Sequence, residues 1–409
     1  MTEAINRQVD AVVLAGDLVE RSRDFFVAYG QLKSGLEKLA TAGIKTYAVA
    51  GNHDVHVLPR LADELDHLEL VGAGGRWETV EINDLELIGW SFPQAEVRLS
   101  PLDDFPRKGL DCVRIGLLHC DRDQRDSRHA PVSSADLNAA QVSAWLLGHI
   151  HAPDDLDSAD GRPMGYLGSV SALRASETGN RGPWLISIDK GQVQAEHLLL
   201  APLRYESQRL DLSDLKRAEA LNARVLGCAR ETLSRLADIE QLPDALGLRL
   251  KLTGRSRIGP EIRAVAEGLL SDNRPWTEHG VQCFIDKLEI ALEPEIELVR
   301  LAEQNDPCGL LAQRILALRS GLNSGDEPDG DNDMRDEYQR LIELGRARFD
   351  EILNAREFKG LDETLSDQDV ARQLERAALL SLSALIEQRG ASGGSLGNSS
   401  GQRSGSESA

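Results

Sequence analysis

Four apolar, strand-like runs near the start of this sequence each stop at residues that can hold a cation or a phosphate. Asp10 to Asp17 (DAVVLAGD) closes in Gly16-Asp17, and Ile44 to Ala50 closes in Gly51-Asn52-His53-Asp54. Val113 to Leu118 runs straight into His119, and Trp145-Leu146-Leu147 runs into Gly148-His149-Ile150-His151. Gly51 lets the backbone turn tightly where a side chain would clash. Open α/β sheets place their ligand sites at the carboxyl ends of strands. One polar strand exit is ordinary, because Asn and Asp also end strands as turn formers. Four exits that carry four of the chain's nine histidines point instead to one convergent metal site at a sheet edge.

The remaining pattern frames these exits. Phe25, Tyr29, Leu32, Leu36 and Leu39 mark one face of an amphipathic helix ended by Gly43, so residues 10–50 read as a βαβ unit with a right-handed crossover. Trp77, Val80 and Ile82 lead through Asn83-Asp84 into Leu85–Trp90, a hairpin. Met164–Ser169 and Trp184–Ile188 read as the last strands of this region. Beyond Leu203 the signals become mixed: a helix over Ser213–Ala237, alternating strands at Leu246–Leu252 and Leu288–Leu292, and a helix around Ile258–Leu270 between them.

Residues 320–334 (SGLNSGDEPDGDNDM) read as an acidic linker. Asp329, Asp331 and Asp333 are spaced like the start of a calcium loop. Met334 stands where that loop needs glycine, however, and Arg340 where it needs glutamate. Helices are expected at 335–356 and 367–388, and disorder in the Ser/Gly-rich tail. The expected division is therefore 1–203, an α+β capping domain at 204–319, the linker at 320–334, a helical segment at 335–390 and a tail at 391–409.

A chain of 409 residues has room for two or three domains. Its net charge of −21 argues against coating nucleic acid wholesale, but not against a local basic groove or a metal-filled acidic site. No run approaches the ~18 apolar residues of a membrane span. The cysteines at 112, 120, 228, 283 and 308 form neither a disulfide framework nor a C-x-x-C zinc pattern, so a reducing cytoplasm is the expected location.

The ordered blocks Gly-Asp, Gly-Asn-His-Asp, Leu-His and Gly-His-Ile-His resemble those of the calcineurin-like metallophosphoesterases. His129-Ala130-Pro131, Ala135-Asp136-Leu137, Tyr166-Leu167-Gly168-Ser169, Glu177-Thr178-Gly179 and Ala201–Glu206 are similar to the SbcD/YhaO type of DNA repair exonuclease. This resemblance implies an α/β fold: a two-sheet sandwich flanked by helices, then a smaller α+β cap and C-terminal helices.

It also implies two divalent ions, manganese first, with magnesium, iron and zinc as alternatives. Asp17 would bridge them. Asn52, His119 and His149 would complete the second site, and His151 would serve the first. His53 would act on the scissile phosphate as general acid or orienting group, steadied by a hydrogen bond to Asp54. The implied activity is metal-dependent phosphodiester hydrolysis of DNA, with DNA and an SMC-like coiled-coil ATPase as partners and a homodimer as a further assembly. The alternatives are a phosphoesterase for nucleotides or phosphoproteins, and a catalytically impaired binding subunit. The last arises because the family's opening Asp-x-His strand has no counterpart before Asp17. Its loss would leave the first metal site incomplete and expose the backbone of a neighbouring strand. A start that omits ~40 residues, enough for one strand and helix, would account for this.

Overall fold

Alternation along each strand decides which residues meet between the sheets and which meet the helices outside. The computed structural model describes residues 1–106, 112–156, 162–237, 242–272, 274–323, 332–353 and 365–393. After a short helix α1 (Thr2–Asn6), strand β1 (Ala11–Leu14) leads to α2 (Phe25–Thr41), β2 (Lys45–Ala48), α3 (Leu58–Glu64) and β3 (Leu68–Leu70). The three strands are parallel, in the order β1-β2-β3. Gly43, with φ +78°, ends the turn after α2, as its position in the sequence predicts.

A five-stranded sheet follows. It comprises β4 (Glu78–Ile82), β5 (Leu85–Trp90), β6 (Val113–His119) and, after the two-residue strands β7 (Asp121–Arg122) and β8 (Pro131–Val132) and helix α4 (Ser134–Ala139), β9 (Ala144–Gly148) and β10 (Met164–Tyr166). Its order is β10-β9-β6-β5-β4, parallel except for the β4–β5 hairpin.

Tyr47, Val49 and Val71 of the first sheet pack against Leu87, Ile115, Leu117 and Leu146 of the second, forming the core between them. The alternate residues point outward. Ala48 and Ala50 meet Leu36, Leu58 and Leu61 of the helices, while Ile88, Trp90, Leu118 and Leu147 gather around Trp145 on the far face. This is the expected two-sheet α/β sandwich flanked by helices.

The strand read as Ile44–Ala50 leaves its ladder after Ala48. Ala50 donates to Ser91 Oγ at 2.9 Å, and its carbonyl accepts from Phe92 at 3.0 Å, so the chain passes across to the second sheet. β1 is an edge strand, with all four residues only half-buried; among the described residues it pairs with β2 alone.

The chain continues through the hairpin β11 (Trp184–Asp189) and β12 (Gln192–His197), then β13 (Leu203–Asp211), α5 (Ala220–Ala237), β14 (Ala245–Ser256), α6 (Gly259–Asp272), β15 (Trp276–Glu278) and β16 (Val281–Pro294). α5 starts later than the pattern predicts, because Ser213 bonds through both N and Oγ to Asp211 Oδ1, at 2.9 and 2.7 Å. Such local bonding competes with helix.

Two compact units emerge: residues 1–210, 222–251 and 267–289, and residues 211–221, 252–266 and 290 onward. The stretch expected as a capping domain, 204–319, is thus divided between them, because the long strands β14 and β16 each contribute to both. In the second unit α7 (Leu298–Ala302), α8 (Pro307–Asn323), α9 (Asn332–Leu353) and α10 (Asp367–Gly393) bury their apolar stripes on one another, through Leu298, Ile315 and Leu382 and through Leu318, Tyr338, Ile342 and Val370. α8 and α9 take in both ends of the expected linker. Its middle, with Asp329 and Asp331, lies outside the described residues, as do residues 394–409 of the expected tail. No described helix is long and apolar enough to cross a membrane.

Trp145 anchors the outer face of the second sheet. It is fully buried, donates Nε1–H to the Leu137 carbonyl at 2.9 Å and covers Gly116, where a Cβ would meet the indole at 2.3 Å. Trp145→Ala removes this packing and leaves the carbonyl only its longer bond from Arg162 Nη2 at 3.2 Å, so it should cost about 3–5 kcal/mol of unfolding free energy, read from the midpoint of urea denaturation.

Candidate metal centre

β1, β2, β6 and β9 all run toward the edge at which the polar exits lie. His119 pairs in register with Gly148, and Leu14 with Ala48. The exits therefore converge by construction. His119 is fully buried, and its Nδ1 lies 2.8 Å from the Ala15 carbonyl. A carbonyl only accepts, so Nδ1 carries the proton and Nε2 keeps its lone pair.

Around that Nε2 stand Asn52 Oδ1 at 3.1 Å, Asp17 Oδ2 at 3.2 Å and His149 Nδ1 at 3.3 Å. His149 Nε2 lies 3.1 Å from Asp121 Oδ1, a carboxylate contact that favours the tautomer with its proton on Nε2 and its lone pair on Nδ1. In those tautomers four electron-pair donors face one another. Mixed oxygen and imidazole donors in this arrangement fit a divalent transition metal such as manganese, iron or zinc.

Backbone demands support the same conclusion. A Cβ on Gly51 would lie 2.2 Å from Asp17 Oδ1 and 2.8 Å from His119 Cε1, and one on Gly148 would lie 1.9 Å from the Ala15 carbonyl. Asp17 has φ +55° and His149 has φ +104°, conformations that side-chain-bearing residues rarely adopt. Strain of this kind is retained where a site over-determines it.

Burial pushes the Asp17 carboxyl up, but the adjacent His119, and then the backbone N–H and ring of His53, outweigh this and hold it below its ordinary value. Burial, and then the neighbouring His119, depress the His149 imidazole to about 4.

The family model of the calcineurin-like phosphoesterases matches residues 2–153, which contain this whole cluster. Over those residues the chain is similar to the calcineurin-like phosphoesterases. Three curated relatives are similar at lower identity. The uncharacterized metallophosphoesterase YhaO of Bacillus subtilis is 26% identical over 53% of this chain and 55% of its own length. The DNA double-strand break repair protein Mre11 of Haloferax volcanii is 27% identical over 55% and 51%, and that of Halobacterium salinarum is 28% identical over 46% and 48%. The chain spans about half the length of the curated relatives it matches.

Within the matched stretch and just beyond it the sequence-derived residues divide. Asp17, Asn52, His119 and His149 come together as one cluster. His53 donates its backbone N–H to Asp17 Oδ1 at 3.0 Å, while its exposed ring sits 3.9 Å from Glu20. The role expected for Asp54 needs correcting. Its buried carboxylate accepts from the backbone of Leu18 at 2.7 Å and of Gly51 at 2.8 Å, so it ties the two glycine turns together instead of steadying the His53 ring. Burial holds that carboxyl above its usual range in spite of both bonds.

His151 turns Nδ1 toward Glu177 Oε1 at 2.9 Å, which leaves its Nε2 with the lone pair. Asp121, Ser127 and His129 are neighbours of the cluster that the strand-exit pattern misses; Asp121, His129 and His149 form a second close group. Asp121 lies two residues beyond His119. In extended chain that spacing returns a side chain to the same face, and this was the available signal.

Two outcomes follow from this geometry. Gly51→Ala should weaken manganese binding by more than about tenfold in calorimetric titration by displacing ligands, whereas Gly30→Ala, whose Cβ would meet nothing, should leave it unchanged.

The depressed His149 makes the folded state refuse a proton that the unfolded chain accepts. Its contribution to stability is therefore present above the unfolded value of 6.5 and is lost as pH falls toward about 4. Chelator-treated wild type should lose more stability over that window than His149→Gln, measured by urea unfolding at each pH.

Proposed function

We propose that this chain hydrolyses phosphodiester bonds of DNA with divalent cations, as an exonuclease or endonuclease serving repair or recombination. The observation that carries the reading is the convergence of Asp17, Asn52 and His149 on the Nε2 of His119, each within 3.3 Å. The family supports phosphoester chemistry, and the names of the two archaeal relatives turn it toward DNA.

Asp17, Asn52, His119 and His149 would hold one ion, with Asp17 shared toward a second that His151 serves. The chemistry supplied there is Lewis-acid polarisation of the phosphoryl group and activation of water. His53 projects its ring from a backbone pinned to Asp17, with Glu20 beside it. An imidazole in that position is suited to orient the phosphate or protonate the leaving oxygen near neutral pH. Asp54 holds the turns from which Asp17 and His53 emerge.

Manganese is the ion proposed, the cytoplasm the location, and DNA with an SMC-like coiled-coil ATPase the partners; the ATPase rests on the family resemblance. A homodimer is a compatible assembly.

A second reading is a binding subunit with impaired turnover. It is motivated by the cluster itself: Asp17, Asn52 and His149 converge on His119, whereas His151 is turned toward Glu177. Manganese uptake near one ion per chain, with no cleavage of any substrate, would establish it.

The deciding experiment compares manganese-dependent release from single- and double-stranded DNA, 2′,3′-cyclic nucleotides and p-nitrophenyl phosphate. DNA should be degraded, and His53→Gln should lower kcat by about 100-fold or more while manganese binding persists. Hydrolysis confined to the small substrates would overturn the nuclease reading.

A further inference from the structure

We propose that Asp121 is a positioning residue that fixes which nitrogen of His149 is presented to the Asp17–Asn52–His119 cluster. Asp121 Oδ1 lies 3.1 Å from His149 Nε2, and a carboxylate beside that nitrogen favours the tautomer that carries its proton there. Nδ1, the other nitrogen, is then the lone-pair atom, and it is the one 3.3 Å from His119 Nε2. This inference rests on the metal-centre reading for its purpose, but not for its geometry.

The carboxylate is itself held. Ser127 Oγ donates to Asp121 Oδ2 and accepts from the His129 N–H at 2.9 Å. The Asp121 backbone N–H donates to the His129 carbonyl at 2.9 Å, within the β7–β8 pairing. Next along the chain, the Arg122 N–H donates to the Tyr166 hydroxyl at 2.6 Å, and that hydroxyl donates to the Cys120 carbonyl at 3.1 Å. A carboxylate fixed at both ends orients a ring; a loose one does not.

The rival for these atoms is a separate cation held by Asp121, His129 and His149. His149 argues against it. A neutral imidazole has one lone pair, so giving Nε2 to such an ion protonates Nδ1 and withdraws it from the Asp17 cluster. Asp121 Oδ2 is also already engaged by the Ser127 hydroxyl, and His129 Nδ1 stands off at 3.7 Å.

The test uses the full chain labelled with ¹⁵N-histidine and stripped by chelator. Wild-type His149 should show the Nε2–H tautomer by NMR. Asp121→Asn, whose amide can donate to Nε2, should move His149 toward Nδ1–H and weaken manganese binding by about ten- to hundred-fold. His129→Asn should change neither readout.

A wild-type Nδ1–H tautomer overturns the proposal without any variant, and so does an unaltered tautomer in folded Asp121→Asn. Loss of one manganese per chain in His129→Asn overturns it in favour of the rival site. If the wild type shows the Nε2–H tautomer and Asp121→Asn shifts it, but manganese does not bind, the positioning role stands and the metal-centre reading fails.

Discussion

Parallel strands deliver their carboxyl ends to one edge, and the core between the two sheets sets two such edges side by side. Everything at the candidate centre depends on that arrangement. β1 and β2 bring Asp17 and Asn52 from one sheet; β6 and β9 bring His119 and His149 from the other. The crossing is stitched by Ala50, which leaves the ladder of β2 to bond with Ser91 and Phe92 beyond β5. Tyr47, Val49, Leu117 and Leu146 beneath it exclude water. Burial of apolar surface between the sheets therefore sets the separation of four polar groups that share no sequence neighbourhood.

Close approach then makes glycine a structural requirement. Gly51 and Gly148 face Asp17, His119 and the Ala15 carbonyl at distances where no Cβ fits. The same crowding gives each histidine an anchored nitrogen: His119 on Ala15, His149 on Asp121 and His151 on Glu177. An imidazole anchored through one nitrogen offers the other as a ligand in a fixed direction. Anchoring by neutral carbonyl and by carboxylate is not equivalent, since a carboxylate also raises the basicity of the free nitrogen. The chain uses the carbonyl where His119 is fully buried and carboxylates where the rings are nearer to solvent.

Much of this was legible in the sequence because strand exits are local features. The runs before Asp17, Asn52, His119 and His149 announce both the strand and its polar end within nine residues, and α2 shows its face in five apolar residues. What stayed hidden depends on tertiary contacts. Asp54 looked like a partner for its neighbour His53, but folding offered its carboxylate two backbone N–H groups, from Leu18 and Gly51. Asp121 and His129 carry no run or motif of their own. They meet His149 only because β7 and β8 pair across a loop. The expected cap at 204–319 failed as a unit because strand patterning shows where β14 and β16 begin, not that each contributes to two compact bodies.

His149 shows how the centre and the stability of the fold oppose each other. Its backbone is held at φ +104°, and burial beside His119 depresses its proton affinity. Both features cost folding free energy in the metal-free chain: the first through steric strain of order 1–3 kcal/mol, the second wherever the unfolded chain would take up a proton. Neither is needed to close the sheet, since β9 completes its ladder at Gly148. They fit a ring held at a fixed place with its lone pair free. A ligand that binds the folded state alone recovers that cost by mass action. A destabilised side chain at the rim of a well-packed sandwich therefore reads as a site whose geometry is maintained for a ligand.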